Sequence, residues 1–212
     1  YLPNLDRYIV LSDYDKRDYM EKLGIDCEVK INPRSFVSEK KCDVKSKRFL
    51  MATRFVYAKG LDLMMESFEE FCKEDSEWEL DIIGDGDLFD QIRADAKKRH
   101  LEKRVHFVGY TNEPEKYYLN SSVFLLPSRW EGWPMVIMEA FEFGLPVIAY
   151  HMGAMDLIID DGKTGFLPEA FDPHKFAQAM LKLAHDEELR ARMSANAIAK
   201  SDDFSIDKAV KE

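Results

Sequence analysis

At 212 residues, with 46% hydrophobic and 33% charged side chains, the chain has the composition of a folded globular domain and not of a disordered or membrane-spanning one. Its formal charge of -10 excludes the basic face on which nucleic-acid binding by counterion release depends. No apolar run approaches the roughly 20 residues that cross a bilayer, so any membrane contact is expected to be peripheral, at the inner face.

Residues 8–12 (YIVLS) read as a strand, 15–23 as a helix, and 29–33 as a short strand stopped by Pro33. The strand at 8–11, left without a sheet of its own, is a candidate for pairing with a second copy. The polar stretch at 38–47 behaves as a linker, and the domain boundary is placed within it. Residues 1–38 are then the remnant of a preceding domain with the start of the linker, and 39–212 a second domain. Cys27, Cys42 and Cys72 stand apart without a CxxC pair, which suggests neither a disulfide framework nor a zinc site and favours a reducing cytoplasm.

Past the linker, residues 48–54 (RFLMATR) form an apolar run suited to a buried strand. Over 59–73, Leu61, Met64, Met65, Phe68 and Phe71 recur at helical intervals and read as core packing. The alternation repeats: strand 79–83 and helix 88–101, strand 105–108 and helix 114–119, strand 123–126 and helix 134–143, then strand 146–149 before a loop. Residues 173–184 and 187–199 read as two closing surface helices. Apolar strands each followed by a helix predict an α/β fold, a Rossmann-like parallel sheet with helices on both faces.

In such sheets ligands bind beyond the carboxyl ends of the strands, so the residues that follow each strand are the candidates. These are Arg54 and Lys59 after the first; Gly84, Asp85 and Gly86 after the second; Gly109, Tyr110 and Thr111 after the third; and 128–133 (SRWEGW) after the fourth. Pro134 is expected as the first helical residue, with the N–H groups of Trp133, Met135 and Val136 left to face an anion. With Arg54 and Lys59 nearby, these groups suit a diphosphate, although two solvated surface cations would look the same. The pattern at Gly84 lacks both the full GxGxxG and the Walker lysine. Glu131 and Glu139 frame the segment EGWPMVIME, one in the loop and one in the second helical turn. Both carboxylates could accept from vicinal hydroxyls of a ribose or hexose; a helix-start glutamate plus a solvated one is the alternative.

The segment 127–149 (PSRWEGWPMVIMEAFEFGLPVIA), with its Glu-x7-Glu element followed by Gly-x-Pro-Val, resembles the signature of the retaining glycosyltransferases of group 1, which have the two-domain GT-B fold. Further matches are ATRFVYAKGLDLMMESF at 52–68, DIIGDGD at 81–87, VHFVGY at 105–110 and DGKTGFL at 161–167. DRYIVLSDYDKRDYMEKLG at 6–24 is similar to the end of such an enzyme's N-terminal domain, so the chain is expected to be the C-terminal, nucleotide-sugar-binding half. Acceptor-binding groups would then lie in an N-terminal domain that it lacks, leaving the piece inactive alone.

The resemblance implies that Arg54 and Lys59 hold the donor diphosphate, that Glu139 binds the ribose, and that Glu131 contacts the transferred sugar near the reacting centre. Backbone of Gly132, Trp133, Pro134, Met135 and Val136 would line sugar and phosphates, with Gly84 on the same edge; Gly109, Tyr110 and Thr111 would border the base. Trp130 and Trp133 could each stack on a sugar or as easily cap the core; the resemblance, which places an aromatic at 133, favours Trp133 for the sugar. The implied donor is a nucleoside-diphosphate sugar, commonly UDP-linked, and the implied acceptor a cell-surface polysaccharide or glycolipid precursor. The resemblance also implies no cofactor and no metal. Pro134 departs from the glycine of many relatives, as do Ala154 from a paired glycine and Leu157 from a glutamate, with Asp156 one position early. Two rival readings are a non-catalytic nucleotide-sugar-binding module and a glycoside hydrolase using Glu131 and Glu139; a diphosphate site speaks against the second.

Overall fold

The computed structural model describes residues 6–209. It opens with a parallel strand pair, β1 (Ile9–Val10) and β2 (Glu28–Val29), joined by helix α1 (Asp13–Leu23). The first strand therefore finds a partner within its own chain, with Ile9 opposite Glu28 and Val10 opposite Val29. Ser12 starts α1 ahead of the expected position because its Oγ accepts the Asp15 N–H at 3.1 Å.

The main sheet has six strands: β3 (Arg48–Ala52), β4 (Glu79–Ile83), β5 (Val105–Gly109), β6 (Val123–Leu126), β7 (Val147–Ala149) and β8 (Gly165–Phe166). Their spatial order is β5-β4-β3-β6-β7-β8, and every neighbouring pair is parallel. The connecting helices are α2 (Leu61–Phe71), α3 (Phe89–Lys98), α4 (Glu115–Asn120), α5 (Met135–Glu142) and the four-residue α6 (Met155–Ile158). Helices α7 (Pro173–His185), α8 (Glu187–Ser201) and α9 (Ile206–Ala209) end the described chain.

Successive residues of a strand face opposite sides, and β3 divides its side chains accordingly. Phe49 and Met51 join a buried cluster with Met64, Met65 and Phe68 of α2 and Phe176 and Met180 of α7. Leu50 joins a second cluster with Ile137, Met138 and Phe141 of α5. Both faces of the sheet are thus covered, which is why its strands are apolar throughout. Helix α8 spans the two layers, with Leu189 and Met193 in the first cluster and Ala197 in the second.

Three features differ from the sequence-based expectation. Helix α6 and strand β8 fall within what reads as loop, because four and two residues carry no usable periodicity. Pro134 is not the first helical residue: it is the extended cap before Met135, with φ -76° and ψ 92°. The proline ring restrains φ alone, and ψ follows the turn that buries Trp133. Residues 34–42 also lie against α5. Arg34 Nη1 donates to Glu142 Oε2 at 2.8 Å, Ser38 N–H to Glu142 Oε1 at 2.9 Å, and Cys42 N–H to the Phe143 carbonyl at 2.8 Å. Burial opposes charge on Glu142, yet the Ser38 N–H, Lys41 and Arg34 together hold its carboxyl below the usual range.

Two glycines set the spacing of the loops at the carboxyl edge. Gly84 follows β4 at φ +122°, where a Cβ would lie 1.8 Å from the Thr53 carbonyl oxygen. Gly60 precedes α2 at φ +64°, where a Cβ would lie 2.0 Å from that of Pro127. Gly84→Ala must both strain its backbone and force the β3 loop outward; a loss of about 2–3 kcal/mol is expected, read as a melting temperature roughly 5–10 °C lower.

Candidate functional site

The chain leaves β3 toward β4 and β5 on one side and returns to β6 on the other. Adjacent strands β3 and β6 therefore send their following loops to opposite faces, which opens a crevice beyond their carboxyl ends. The loop after β3 carries Arg54 and a 3-10 turn, Tyr57–Lys59; the loop after β6 carries 127–134. Arg129 locks the two together. Its N–H donates to the Ala58 carbonyl at 2.7 Å, and its guanidinium grips both Asp62 oxygens at 2.7 and 2.6 Å while lying 4.0 Å from the Tyr57 ring centroid. This arginine is spent on the scaffold.

Lys59 and Glu131 meet across the crevice. Lys59 Nζ lies 2.7 Å from Glu131 Oε1, and Ser128 Oγ donates to the same oxygen at 2.7 Å. The Glu131 side chain retains 8% of its exposure and that of Lys59 21%, so the ion pair is largely desolvated and held in one orientation. Oxygen Oε2 of Glu131 takes no hydrogen bond from the described residues. Arg54 is exposed, and its side chain makes no hydrogen bond or ion pair with a described residue.

The remaining candidates divide by position. Gly84 N–H donates to the Gly109 carbonyl at 2.9 Å, so these glycines join the β4 and β5 edges. Tyr110 beyond them is 78% exposed, and Thr111 Oγ1 accepts the Glu113 N–H at 3.1 Å. At the start of α5 the first N–H taken is that of Ile137, by the Pro134 carbonyl at 3.0 Å. Those of Gly132, Trp133, Met135 and Val136 have no backbone acceptor among the described residues. Such free donors at a helix start suit an anion. Trp133 does not present its ring to a sugar: it is buried, edge-on to Phe204 at 6.2 Å, with Nε1 donating to the Asn32 carbonyl at 3.1 Å. Trp130 is the exposed tryptophan of the pair, beside Tyr57 at 6.0 Å. Asp156 accepts the Tyr14 hydroxyl at 2.9 Å.

Glu139 belongs to a different network from Glu131. Its Oε2 accepts the Tyr118 hydroxyl at 2.9 Å, and its carboxylate sits on the wall of a cavity of about 870 Å³ between residues 35–40 and the start of α4. Lys59, Arg54 and Glu131 do not line that cavity. Burial raises the Glu139 pKa against the opposing effect of the Tyr118 hydrogen bond. Burial, then the Glu139 charge, raises that of Tyr118 well above its usual value, which keeps the phenol a donor. Ser128 falls among the strand-end candidates at 128–133, although its reach to Glu131 shows only in the structure. Tyr118 escapes a sequence reading, because it lies on another helix and nothing local marks it.

Two stability effects follow. Lys59→Ala leaves the Glu131 carboxylate buried with a serine alone, and a loss of roughly 1–3 kcal/mol is expected in denaturant unfolding, partly restored by adding Glu131→Gln. Because folding raises the Glu139 pKa, the cost of its charge appears as pH rises through the ordinary carboxylate range and persists above it. Glu139→Gln should therefore melt above the parent chain near pH 7, with the difference vanishing below about pH 4.

A family model described as glycosyl transferases group 1 matches residues 35–200. An uncharacterized glycosyltransferase of Haemophilus influenzae is 28% identical over 210 residues, which are 98% of this chain and 60% of the relative. The UDP-Gal:alpha-D-GlcNAc-diphosphoundecaprenol alpha-1,3-galactosyltransferase of Escherichia coli is 34% identical over 54% of this chain and 30% of its own length. The crystal structure of a mutant of S. aureus TarM in complex with Fondaparinux, alpha-GlcNAc-glycerol and UDP superposes with a TM-score of 0.89 at 24% identity, over 97% of this chain and 42% of that one. The chain thus spans at most 60% of the length of these proteins. Its parallel sheet and covering helices form a Rossmann-like domain of the GT-B fold. With the model covering most of the sequence and the Glu-x7-Glu segment at the switch point of the sheet, the chain belongs to the group 1 glycosyltransferases.

Proposed function

We propose that the chain is the donor-binding half of a retaining glycosyltransferase that uses a UDP-linked hexose and builds a cell-surface polysaccharide or glycolipid. The observation that carries this reading is the convergence at the switch point. Lys59, fixed on Glu131, and Arg54, unpaired among the described residues, share the crevice with the N–H groups that open α5 without an acceptor among those residues. Cations and oriented donors at one helix start suit a diphosphate on a chain whose net charge is -10.

Transfer breaks the bond between the anomeric carbon and the diphosphate oxygen and forms one to an acceptor hydroxyl on the same face, whose proton passes to the departing diphosphate. Negative charge grows on the leaving diphosphate, where Arg54, Lys59 and the α5 amides stabilise it. Glu131, whose Oε2 takes no hydrogen bond from the described residues, faces the sugar as an electrostatic partner, and Glu139 receives ribose hydroxyls. The E. coli relative is named for a UDP-sugar donor and an alpha linkage, which supports the nucleotide and the retaining outcome. Acceptor groups come from the portion of the relatives that this chain does not span. No helix among the described residues is long and apolar enough to cross a membrane. On this reading a lipid-linked acceptor is met by peripheral contact at the inner face.

Calorimetric titration with UDP, GDP and ADP tests the reading. UDP is expected to bind selectively, and Arg54→Ala/Lys59→Ala to weaken it by about 100-fold or more through loss of two charge-assisted contacts. Equal affinity of the double variant for UDP would sink the diphosphate assignment, and selective binding of GDP or ADP would replace uridine.

A further inference from the structure

The geometry points to Tyr118 as the positioning residue of the donor site, fixing the Glu139 carboxylate by its Oε2 so that Oε1 is presented to the ribose diol. This rests on the ribose role proposed above for Glu139. Tyr118 is the one buried residue of α4, and its ring stacks on Phe124 of β6 at 5.9 Å and on Phe143, at the end of α5, at 4.9 Å. A phenol held by three elements has a fixed hydroxyl position. That hydroxyl lies 2.9 Å from Glu139 Oε2, and no described residue donates to Oε1.

A glutamate on a helix surface samples several rotamers and loses that freedom when it engages a ligand. Here the loss has already occurred on folding, so binding the diol does not have to order the side chain. The hydrogen bond leaves Oε1 of Glu139, a residue that lines the cavity, uncommitted among the described residues, with lone pairs available for incoming hydroxyl donors. The competing view is that Tyr118 only packs, with Glu139 as the nearest acceptor for a buried phenol. That view predicts that Tyr118→Phe leaves the preference for ribose over dideoxyribose unchanged.

The full chain, its Tyr118→Phe variant and its Glu139→Gln variant are titrated with the diphosphate selected above, UDP on the present reading, and with its 2′,3′-dideoxy analogue. The parent should prefer the ribonucleotide by about tenfold. Tyr118→Phe keeps the ring stack; it should weaken ribonucleotide binding by about three- to tenfold and leave the dideoxy analogue within about twofold, so the preference shrinks. Equal weakening of both nucleotides, or no change in either, overturns the positioning role. A Glu139→Gln variant that keeps the full ribonucleotide preference overturns the ribose reading itself, a result separate from a Tyr118 failure in which only Glu139→Gln loses the preference.

Discussion

Among the places where backbone meets backbone on the carboxyl edge of the sheet are Gly60 against Pro127 and Gly84 against Thr53. Neither contact leaves room for a Cβ, so the loops after β3, β4 and β6 are drawn together more closely than side chains would allow. Lys59 can reach Glu131 because Gly60 seats the 3-10 turn against the β6 loop, and Arg129 then ties that turn to the start of α2. The chemistry of the crevice is a consequence of this close spacing. A parallel sheet supplies the switch point, and the glycines determine how narrow it is.

The two glutamates of the signature occupy contrasting surroundings. Glu131 is paired with a cation and a hydroxyl through one oxygen, which fixes its orientation across the crevice. Glu139 has a neutral phenol as its partner and stands against a cavity, where burial makes its charge costly. On the ribose role proposed for Glu139, that cost is offset when hydroxyl donors arrive, and the residue trades some stability of the free protein for ligand binding.

Much of this was legible in the residues. Strand runs such as 79–83 and 123–126 coincide with β4 and β6, because strands buried on both faces are apolar throughout and need no partner to be recognised. The grouping of Arg54, Lys59 and Glu131 at one edge follows from the βα alternation, since each loop lies at the same end of the sheet. What could not be read depends on contacts distant in sequence. Trp133 resembles an exposed aromatic until Asn32 and Phe204, far away in the chain, enclose it. Tyr118 gains its importance from a carboxylate 21 positions away. Proline at 134 constrains one torsion and says nothing of the other, which is why the helix begins one residue later.

Glu142 binds the segment at 34–42 through Arg34, Ser38 and Lys41, and it lies on α5 one helical turn beyond Glu139. The wall of the cavity formed by residues 35–40 and the carboxylate that faces it are therefore mounted on the same rigid turn. In mechanical terms the connecting segment and the cavity form one body, with the helix as their common axle. Displacement of the segment must carry the Glu139 side of the pocket with it or break a buried ion pair, so the pocket keeps its width whichever way the preceding part of the chain turns.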